Sequence, residues 1–569
     1  MQKRLAVLLV ALATIAALLG YSFLPEDQAK LDAAQEKYPP PRFPSYLKPP
    51  KSIEEVMPFA RAAVRQTGGR TPLGLVEKGQ TVLLVATDHV AEPMVLEAIR
   101  RAYGERGVKA RIMKEHELRG LTLEEALAIR KATVWYTSEQ GYFEADFSGN
   151  WSIEWLKKIR PELHAKLFPE IKLPEALARK DREVPSLTKA LIKYLDENPG
   201  IGTVYFARGG RQRRARELEH HREKMYGNFI FDNRWELMSK VPEFPGDVWR
   251  LVEERVIEPI GWIDKMHATD PEGTNLSMDV DEKTAEAWGK SAYEQGHLFM
   301  LPGSATGRFP YSVIEYPAIK KEYIPHFVGE ADGVIAGTNN HRGVFPRIEV
   351  HVKKGYVVEV KGGGPYGDIW REAIKIPGIN EVTWPFRDKP GYWWLREGGL
   401  GTNPKFYKRL DENLQGTNQT ERNVAGVIHW GFGMEVREGP QGPTKPPEVL
   451  EFEKKTGLPN RHGWHIHNLR LTYRVKVRAT KNTWLTLINK GRIAALDSPE
   501  IRALASRYGN PDEILRQDWV PHLPGINAPG KYEDYARDPW RTITMIAKKV
   551  EAGTYEYSYP PVKPVEGKR

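Results

Sequence analysis

A strand–helix–strand pattern at residues 79–113 places the strongest constraint on the fold of this chain. Thr81–Ala86 is a short apolar run rich in Val and Leu, which is typical of a buried parallel strand. Residues 91–103 carry their apolar side chains on one helical face, and Gly104 follows them. Residues 108–113 then alternate like a second strand. Because parallel strands need a long crossover connection, the pattern predicts an α/β domain.

Other segments extend this prediction along the chain. Residues 133–136 and 202–206 have the composition of further strands in the same sheet. No Gly-x-Gly-x-x-Gly follows the first strand, so a dinucleotide site is not predicted. After about Pro271 the chain becomes rich in glycine and in alternating runs, at 344–350, 356–360 and 469–477. Gly355 predicts a hairpin turn between the first two of these runs, and the later region is expected to be α+β.

An uncharged apolar run at residues 5–24 follows Lys3 and Arg4. A helix of this length spans about 30 Å, the thickness of the hydrocarbon core of a bilayer. The two cations would stay on the cytoplasmic side, so the body of the protein is expected to be periplasmic or extracellular. The run is longer than a usual signal peptide and lacks an Ala-x-Ala exit, which favours an uncleaved membrane anchor. A cleaved signal and a secreted protein are the alternative.

These patterns divide the 569 residues into five segments. The predicted segments are a signal anchor or signal peptide at 1–24, a Pro-rich spacer at 25–74, an α/β domain at 75–265, an α+β metal-binding catalytic domain at 266–510, and a C-terminal extension at 511–569. The spacer contains many prolines between residues 39 and 50, so it is expected to be extended. The extension is expected to pack on the catalytic half.

Composition excludes several kinds of chemistry. The chain contains no cysteine, which excludes disulfides, thiolate zinc sites, iron–sulfur clusters and cysteine nucleophiles. Any metal must therefore be bound by His, Asp, Glu or Tyr. The net charge of +10 comes from 84 basic and 74 acidic residues and is small for this length. We therefore expect no nucleic-acid partner.

The candidate ligands are histidines near the C-terminal end of the catalytic domain. Four of the 15 histidines cluster there, at His429, His462, His465 and His467. On a strand, His465 and His467 would point to one face with their bases about 7 Å apart, which is a chelating arrangement. His429 follows an apolar run that could bring up a third imidazole. Imidazole binds iron, zinc, copper and nickel, so the set does not identify its metal, and such a pair also occurs where no ion binds.

Several motifs, read in order, resemble one enzyme superfamily. They lie at 272–276 (EGTNL), 331–335 (ADGVI), 355–363 (GYVVEVKGG), 396–404 (REGGLGTNP), 427–433 (VIHWGFG) and 465–467 (HIH). Their order and spacing resemble those of thermophilic aminopeptidases of the aminopeptidase T type and of their relative 2,5-dihydroxypyridine 5,6-dioxygenase. The resemblance covers roughly residues 75–480 and is better in the C-terminal half.

The aminopeptidase branch holds two metals with two Glu, two His, one Tyr and one Asp. The resemblance implies matching residues at three of these positions, namely Glu397, His429 and His465. The position of the Tyr is Val436 and that of the Asp is His467, and only Glu315 stands near the position of the first Glu. Two cations about 3.5–4 Å apart need anionic ligands between them, so these changes disfavour a two-metal peptidase.

The dioxygenase branch holds one ferrous ion with two His and one Asp. The resemblance therefore implies a single divalent metal bound by His429, His465 and His467, with Fe(II) favoured and Zn the alternative. Glu397 would be the catalytic acid or base, or would orient an imidazole. Four tryptophans are expected in the core or, less favoured, lining a pocket, namely Trp393, Trp394, Trp430 and Trp464.

The expected function is thus an exported mononuclear metalloenzyme of the dioxygenase kind that acts on an aromatic or heteroaromatic ring. One alternative is a metal-dependent aminopeptidase, for which export is favourable and the missing Tyr and Asp are unfavourable. The other is a non-catalytic binding or assembly protein on the same fold. The expected partners are a small-molecule or peptide substrate, the membrane through residues 5–24, and another copy of the chain in a homo-oligomer.

Overall fold

A computed structural model describes the central part of the chain. It covers residues 49–554 except 68–72, 89–90, 134–135, 138–140, 143–156, 159, 168–171, 208–220, 222, 230–232, 283–284, 286–296, 303–329, 341–343, 382–389, 407–423, 434–450, 452–453, 456–463, 479–483 and 519–522. Within these residues no helix is long and apolar enough to cross a bilayer. The predicted membrane segment at 5–24 lies outside them.

The N-terminal half is built around a parallel sheet. Its elements, in chain order, are α1 (Ile53–Ala63), β1 (Thr81–Ala86), α2 (Pro93–Glu105), β2 (Lys109–Lys114), α3 (Glu115–Arg119), α4 (Leu123–Thr133), β3 (Tyr136–Thr137), β4 (Gly141–Tyr142), α5 (Pro161–Leu167), α6 (Glu175–Glu183), α7 (Leu187–Glu197), β5 (Ile201–Ala207), β6 (Met225–Phe229), α8 (Arg234–Leu237) and α9 (Gly246–Ile257). The strand order is β2-β1-β5-β6, and all three pairings are parallel. The predicted strand–helix–strand unit is confirmed.

The strand predicted at residues 133–136 is wrong. Helix α4 continues to Thr133, and the two-residue strand β3 pairs only with β4, outside the parallel sheet. The helix begins with a reciprocal cap, because Thr122 N–H donates to Glu125 Oε2 at 2.9 Å and Glu125 N–H donates to Thr122 Oγ1 at 3.2 Å. This cap and the helical residues behind it favour helix up to Thr133, and residues 134–135 lie outside the described residues.

The C-terminal half contains two antiparallel sheets. Its elements, in chain order, are β7 (Ile263–Thr269), β8 (Asn275–Asp279), β9 (His297–Pro302), β10 (Glu330–Asn339), β11 (Val344–Lys353), β12 (Tyr356–Gly362), α10 (Gly364–Ala373), β13 (Leu395–Gly401), β14 (Ile428–Phe432), β15 (Trp464–Asn468), β16 (Thr472–Val477), β17 (Trp484–Asn489), β18 (Arg492–Ile493), α11 (Pro499–Ala505), α12 (Pro511–Ile514), α13 (Tyr532–Arg537) and α14 (Pro539–Glu551). The large sheet has the order β12-β11-β10-β8-β7-β16-β17-β18, and the small sheet has the order β15-β14-β13-β9.

The predicted hairpin is confirmed between β11 and β12. Lys354 and Gly355 form its two-residue turn with positive φ angles of 48° and 83°. Positive φ at both central residues is the geometry that matches the twist of paired strands, and glycine adopts it without a Cβ clash.

The small sheet packs against the large sheet through β15 and β10. A Cβ on Gly337 would lie 2.7 Å from Ile466 Cγ2 and 3.0 Å from the carbonyl oxygen of His467, so only glycine permits this approach. Aromatic side chains fill the adjoining core, where the ring centres of Trp370 and Trp464 lie 4.9 Å apart. The four tryptophans named above are all buried in this core.

The described part of the C-terminal extension, residues 511–518 and 523–554, contacts both halves. Lys405 Nζ is buried and donates to the carbonyl oxygens of Glu513 at 2.6 Å and Arg516 at 3.0 Å, and to the carboxylate of Asp518 at 3.1 Å. Further along, the carboxylate of Glu551 accepts from Arg234 at 2.6 Å. The extension is therefore held to the sheets by buried polar contacts as well as by apolar packing.

Candidate metal centre

Strands β14 and β15 bring three of the predicted ligands to one face of the small sheet. His429 pairs directly across from His467, and Gly431 pairs across from His465. Side chains alternate between the two faces of a strand, so all three imidazoles lie on the same face. Trp430, which follows His429, and Asn468, which follows His467, lie on the other face, where they are hydrogen-bonded to each other.

The three rings are buried and close together. His429 and His467 are 0 % exposed, and His465 is 7 % exposed. The ring centre of His429 lies 5.6 Å from that of His465 and 5.9 Å from that of His467. An ion bound about 2.0–2.1 Å from two imidazole nitrogens places their ring centres roughly 5 Å apart. Each of the two ring-centre distances thus exceeds the distance expected for two imidazoles on a shared ion by less than about 1 Å.

As the rings stand, they do not converge on one point. Within the described part of the chain, no group of three or more His, Asp or Glu side chains has the spacing of a metal site. The donor set nevertheless fits a divalent ion in kind, because imidazole is a common ligand of such ions and three buried imidazoles lie on one face. The ligand set therefore stays a prediction.

Two glycines lie next to the imidazoles in the small sheet. Gly399 of β13 pairs across from His429, and Gly431 of β14 pairs across from His465. Directly opposed residues share a face, so each glycine contributes no side chain on its own side of the imidazole. Glycine within a strand is typical of places where a ligand or another backbone approaches closely.

The predicted catalytic Glu397 lies on β13 and pairs across from Gly431, so it occupies the same register row as His465. Two neighbouring strands are about 4.8 Å apart, which places its backbone roughly 10 Å from that of His465. The register of β13 shifts beside this residue, and such irregularities are frequent next to active sites. The side chain of Glu397 and the residues His462, Glu315 and Val436 lie outside the described residues.

The sequence interpretation missed a buried carboxyl pair on the loop between β7 and β8. Glu272 is 1 % exposed, and its Oε1 accepts from Thr338 Oγ1 at 2.9 Å and from the Tyr532 hydroxyl at 3.1 Å. Asp270 is 6 % exposed and accepts from the backbone N–H of Glu272 at 2.8 Å and of Arg470 at 3.2 Å. Glu272 Oε2 has no hydrogen-bond partner in the described part of the chain.

Burial keeps these carboxyls protonated more readily than usual. It raises the pKa of Glu272 to about 8, and the negative charge of Asp270 adds to the rise. Burial also raises the pKa of Asp270 to about 6, although two backbone N–H donors oppose the shift. Burial together with the nearby Glu272 raises the pKa values of Tyr532 and Tyr535 as well, so both hydroxyls remain donors. The pair is therefore a neutral or singly charged hydrogen-bonding centre at neutral pH.

Comparisons with known proteins give structural similarity only. No known family profile matches the chain, and no curated protein matches its sequence. The structure is similar to 2,5-dihydroxypyridine dioxygenase from Pseudomonas putida, with 10 % identity, a TM-score of 0.37, and coverage of 78 % of this chain and 98 % of that chain. It is also similar to wild-type AmpT from Thermus thermophilus, with 13 % identity, a TM-score of 0.32, and coverage of 78 % and 100 %. These two proteins are of the two kinds that the motifs resemble.

Proposed function

We propose that this chain is a mononuclear metalloenzyme whose ion is held by His429, His465 and His467. The single observation that carries the proposal is the placement of three buried imidazoles side by side on one face of the small sheet. Neutral imidazoles bind Fe(II) and Zn without carboxylate help. Fe(II) is the favoured ion because the ligand set lacks the Tyr and Asp of a two-metal site and therefore resembles the single-metal dioxygenase branch.

The proposed reaction is oxidative opening of an aromatic or heteroaromatic ring. A bound ferrous ion would supply Lewis acidity and open coordination positions for substrate and dioxygen. The chain itself would hold the ion through the imidazoles and keep bulk water away from a face whose histidines are buried. We assign Glu397 the task of holding the proton of a substrate hydroxyl, because it shares the register row of His465.

A second candidate is a metal-dependent aminopeptidase. It is favoured by the same register row, which would let Glu397 serve as a ligand or as a base for water. Peptide hydrolysis with zinc needs no oxygen and would suit an exported protein. It is disfavoured by the absence of the family's Tyr and Asp at Val436 and His467.

The test is metal analysis of the purified full-length chain followed by two assays. We expect about one iron per chain and oxygen consumption with dihydroxylated aromatic rings, 2,5-dihydroxypyridine among them. Two zinc ions per chain together with cleavage of aminoacyl anilides would replace the first candidate by the second. A chain that binds neither ion and behaves identically after His465→Ala would contradict both and favour a binding or assembly protein.

We further propose that residues 5–24 anchor the protein, with its body outside the cytoplasm. The support is the apolar run behind Lys3 and Arg4. A reporter that is active only after export is fused behind residue 48. Its activity should then be found in the membrane fraction. Activity in the secreted fraction would indicate a cleaved signal, and a reporter active only when cytoplasmic would contradict export.

A further inference from the structure

One buried amide joins both histidine-bearing strands to the large sheet. Asn468 is 0 % exposed, and its Oδ1 accepts from Trp430 Nε1 at 2.6 Å. Its Nδ2 donates to the carbonyl oxygen of Ala336, on β10, at 2.8 Å. The same Oδ1 lies 3.2 Å from the hydroxyl of Thr274, which in turn accepts from the backbone N–H of Ala336 at 2.9 Å. Asn468 thus connects β14, β15, β10 and the start of β8.

These bonds act on the positions that flank the candidate ligands. Trp430 follows His429 on β14, and Asn468 follows His467 on β15. Because neighbouring side chains point to opposite faces, fixing Trp430 and Asn468 on the core face fixes the two histidines on the other face. A slip of one residue in this pairing would turn the histidines toward the core, so the register decides whether a site exists at all.

The contact is costly to lose because it is fully buried. A buried donor or acceptor left without its partner loses the stabilisation of its hydration as well as the bond. The close approach at Gly337, which touches Ile466 and the carbonyl of His467, leaves little space for an alternative arrangement of β15. The amide network therefore has one well-packed arrangement, and it is the one that pairs His429 with His467.

We propose that Asn468 is a positioning residue for the candidate metal centre and acts through its bond to Trp430. This inference rests on the proposed function, since it concerns the geometry of the same three imidazoles. Groups that orient metal ligands without touching the ion typically change metal affinity 10–100-fold when they are removed. We expect loss of the Trp430–Asn468 bond to fall at the lower end of that range, because Asn468 keeps its bond to Ala336.

The test compares two variants that each lose one buried indole hydrogen bond. Trp430→Phe removes the donor to Asn468 and keeps an aromatic ring in place. Trp249→Phe is the matched control, because Trp249 is also buried and its Nε1 donates at 2.9 Å to Thr402 Oγ1, which follows β13 and lies on neither β14 nor β15. The affinity of the full-length chain for Co²⁺ is measured from the visible absorption of the bound ion, and unfolding in urea gives the stability of each variant.

We expect Trp430→Phe to bind Co²⁺ about tenfold more weakly than wild type and Trp249→Phe to bind it within about twofold of wild type. The two variants should lose similar amounts of unfolding free energy. Equal effects of the two variants on Co²⁺ affinity, or no effect of either, would overturn the positioning role. If Asn468→Ala folds, it should lose more Co²⁺ affinity than Trp430→Phe. If Asn468→Ala does not fold, the result for Trp430→Phe decides the test.

A metal-free readout separates this inference from the proposed function. If the wild-type chain binds no Co²⁺, the proposed function fails, and the positioning role is read from NMR of chains labelled only at histidine. The ring signals of His429 and His467 should then shift in Trp430→Phe and stay in place in Trp249→Phe. Unshifted signals in Trp430→Phe would show that the amide network does not position the histidines.

Discussion

The imidazole face of the small sheet and the carboxyl pair of the β7–β8 loop are both buried and titratable, yet they are built differently. Within the carboxyl pair, Glu272 Oε1 accepts from the hydroxyls of Thr338 and Tyr532, and Asp270 accepts from two backbone N–H groups. On the imidazole face, the rings of His429, His465 and His467 lie beside one another and next to glycines. The first arrangement suits a structural hydrogen-bonding centre, and the second suits a site that receives a ligand.

The location of each cluster supports the same distinction. Glu272 contacts Tyr532 of helix α13, so the carboxyl pair fastens the C-terminal extension to the large sheet. The imidazoles lie on the face of β14 and β15 that is turned away from the core tryptophans. The two clusters therefore differ in what lies next to them, which is helix α13 for the carboxyl pair and the glycines of β13 and β14 for the imidazoles.

The largest expected effect comes from removing a ligand on the imidazole face. His467→Ala should weaken Fe(II) or Co²⁺ binding by roughly 1,000-fold, about 4 kcal/mol, because one of three ligands is lost. Isothermal titration measures the affinity. His267→Ala is the control, since His267 lies on β7 and bonds to Asn275 at 3.0 Å. If both variants bind alike, the imidazole face is not a metal site and the distinction between the clusters fails.

The next effect is a pH dependence carried by the carboxyl pair. The pKa of Glu272 rises from its usual value near 4.5 to about 8 in the folded protein, so folding favours the protonated acid. The resulting stability is complete below about pH 4.5 and is lost as the pH rises through 8. Glu272→Gln cannot ionise, so its stability relative to wild type should rise by about 4 kcal/mol between pH 5 and pH 9.

Urea unfolding of both proteins at several pH values measures this difference. Asp512→Asn serves as the control, because Asp512 is at the surface beside Arg502 and lies apart from the pair. Parallel stability profiles for wild type and Glu272→Gln would contradict the assignment of a raised pKa to Glu272.

A smaller effect is expected from the hydroxyl that covers the pair. Tyr532→Phe removes one donor to Glu272 and should cost about 1 kcal/mol of unfolding free energy. Tyr508→Phe loses an exposed bond to Asp247 and should cost less than about 0.5 kcal/mol. Equal losses measured by urea unfolding would mean that the Tyr532 bond does not stabilise the extension.

The smallest effect sharpens the separation of the two regions. Glu272→Gln should leave the affinity for Co²⁺ within about twofold of wild type, because the Glu272 side chain bonds to Thr338 and Tyr532 and not to the histidine strands. A loss above tenfold in the same titration would show that the carboxyl pair belongs to the metal centre.

Local patterns predicted what depends on neighbouring residues. The strand–helix–strand unit at 79–113, the Lys354–Gly355 hairpin and the shared face of His465 and His467 all follow from periods of two or 3.6 residues and from turn chemistry. The strand at 133–136 failed because a capped helix extends into it. Local sequence pattern alone did not decide whether Thr133 ends a helix or begins a strand.

Burial that depends on distant residues could not be predicted. Glu272 and Tyr532 are 260 residues apart, and Asn468 bonds to groups 38, 132 and 194 residues away. The carboxyl pair had one usable signal, which was two acids at Asp270 and Glu272 directly after a strand. For Asn468, the usable signal was the position of an amide side chain directly after the His-x-His sequence.

The most direct test of a metal held by three imidazoles is X-ray absorption at the edge of the bound metal in the full-length chain. With zinc, we predict about three imidazole nitrogens at about 2.0–2.1 Å around a single ion, reduced to two in His429→Ala. A spectrum with one imidazole or none, or with a second metal about 3.5–4 Å away, would contradict it.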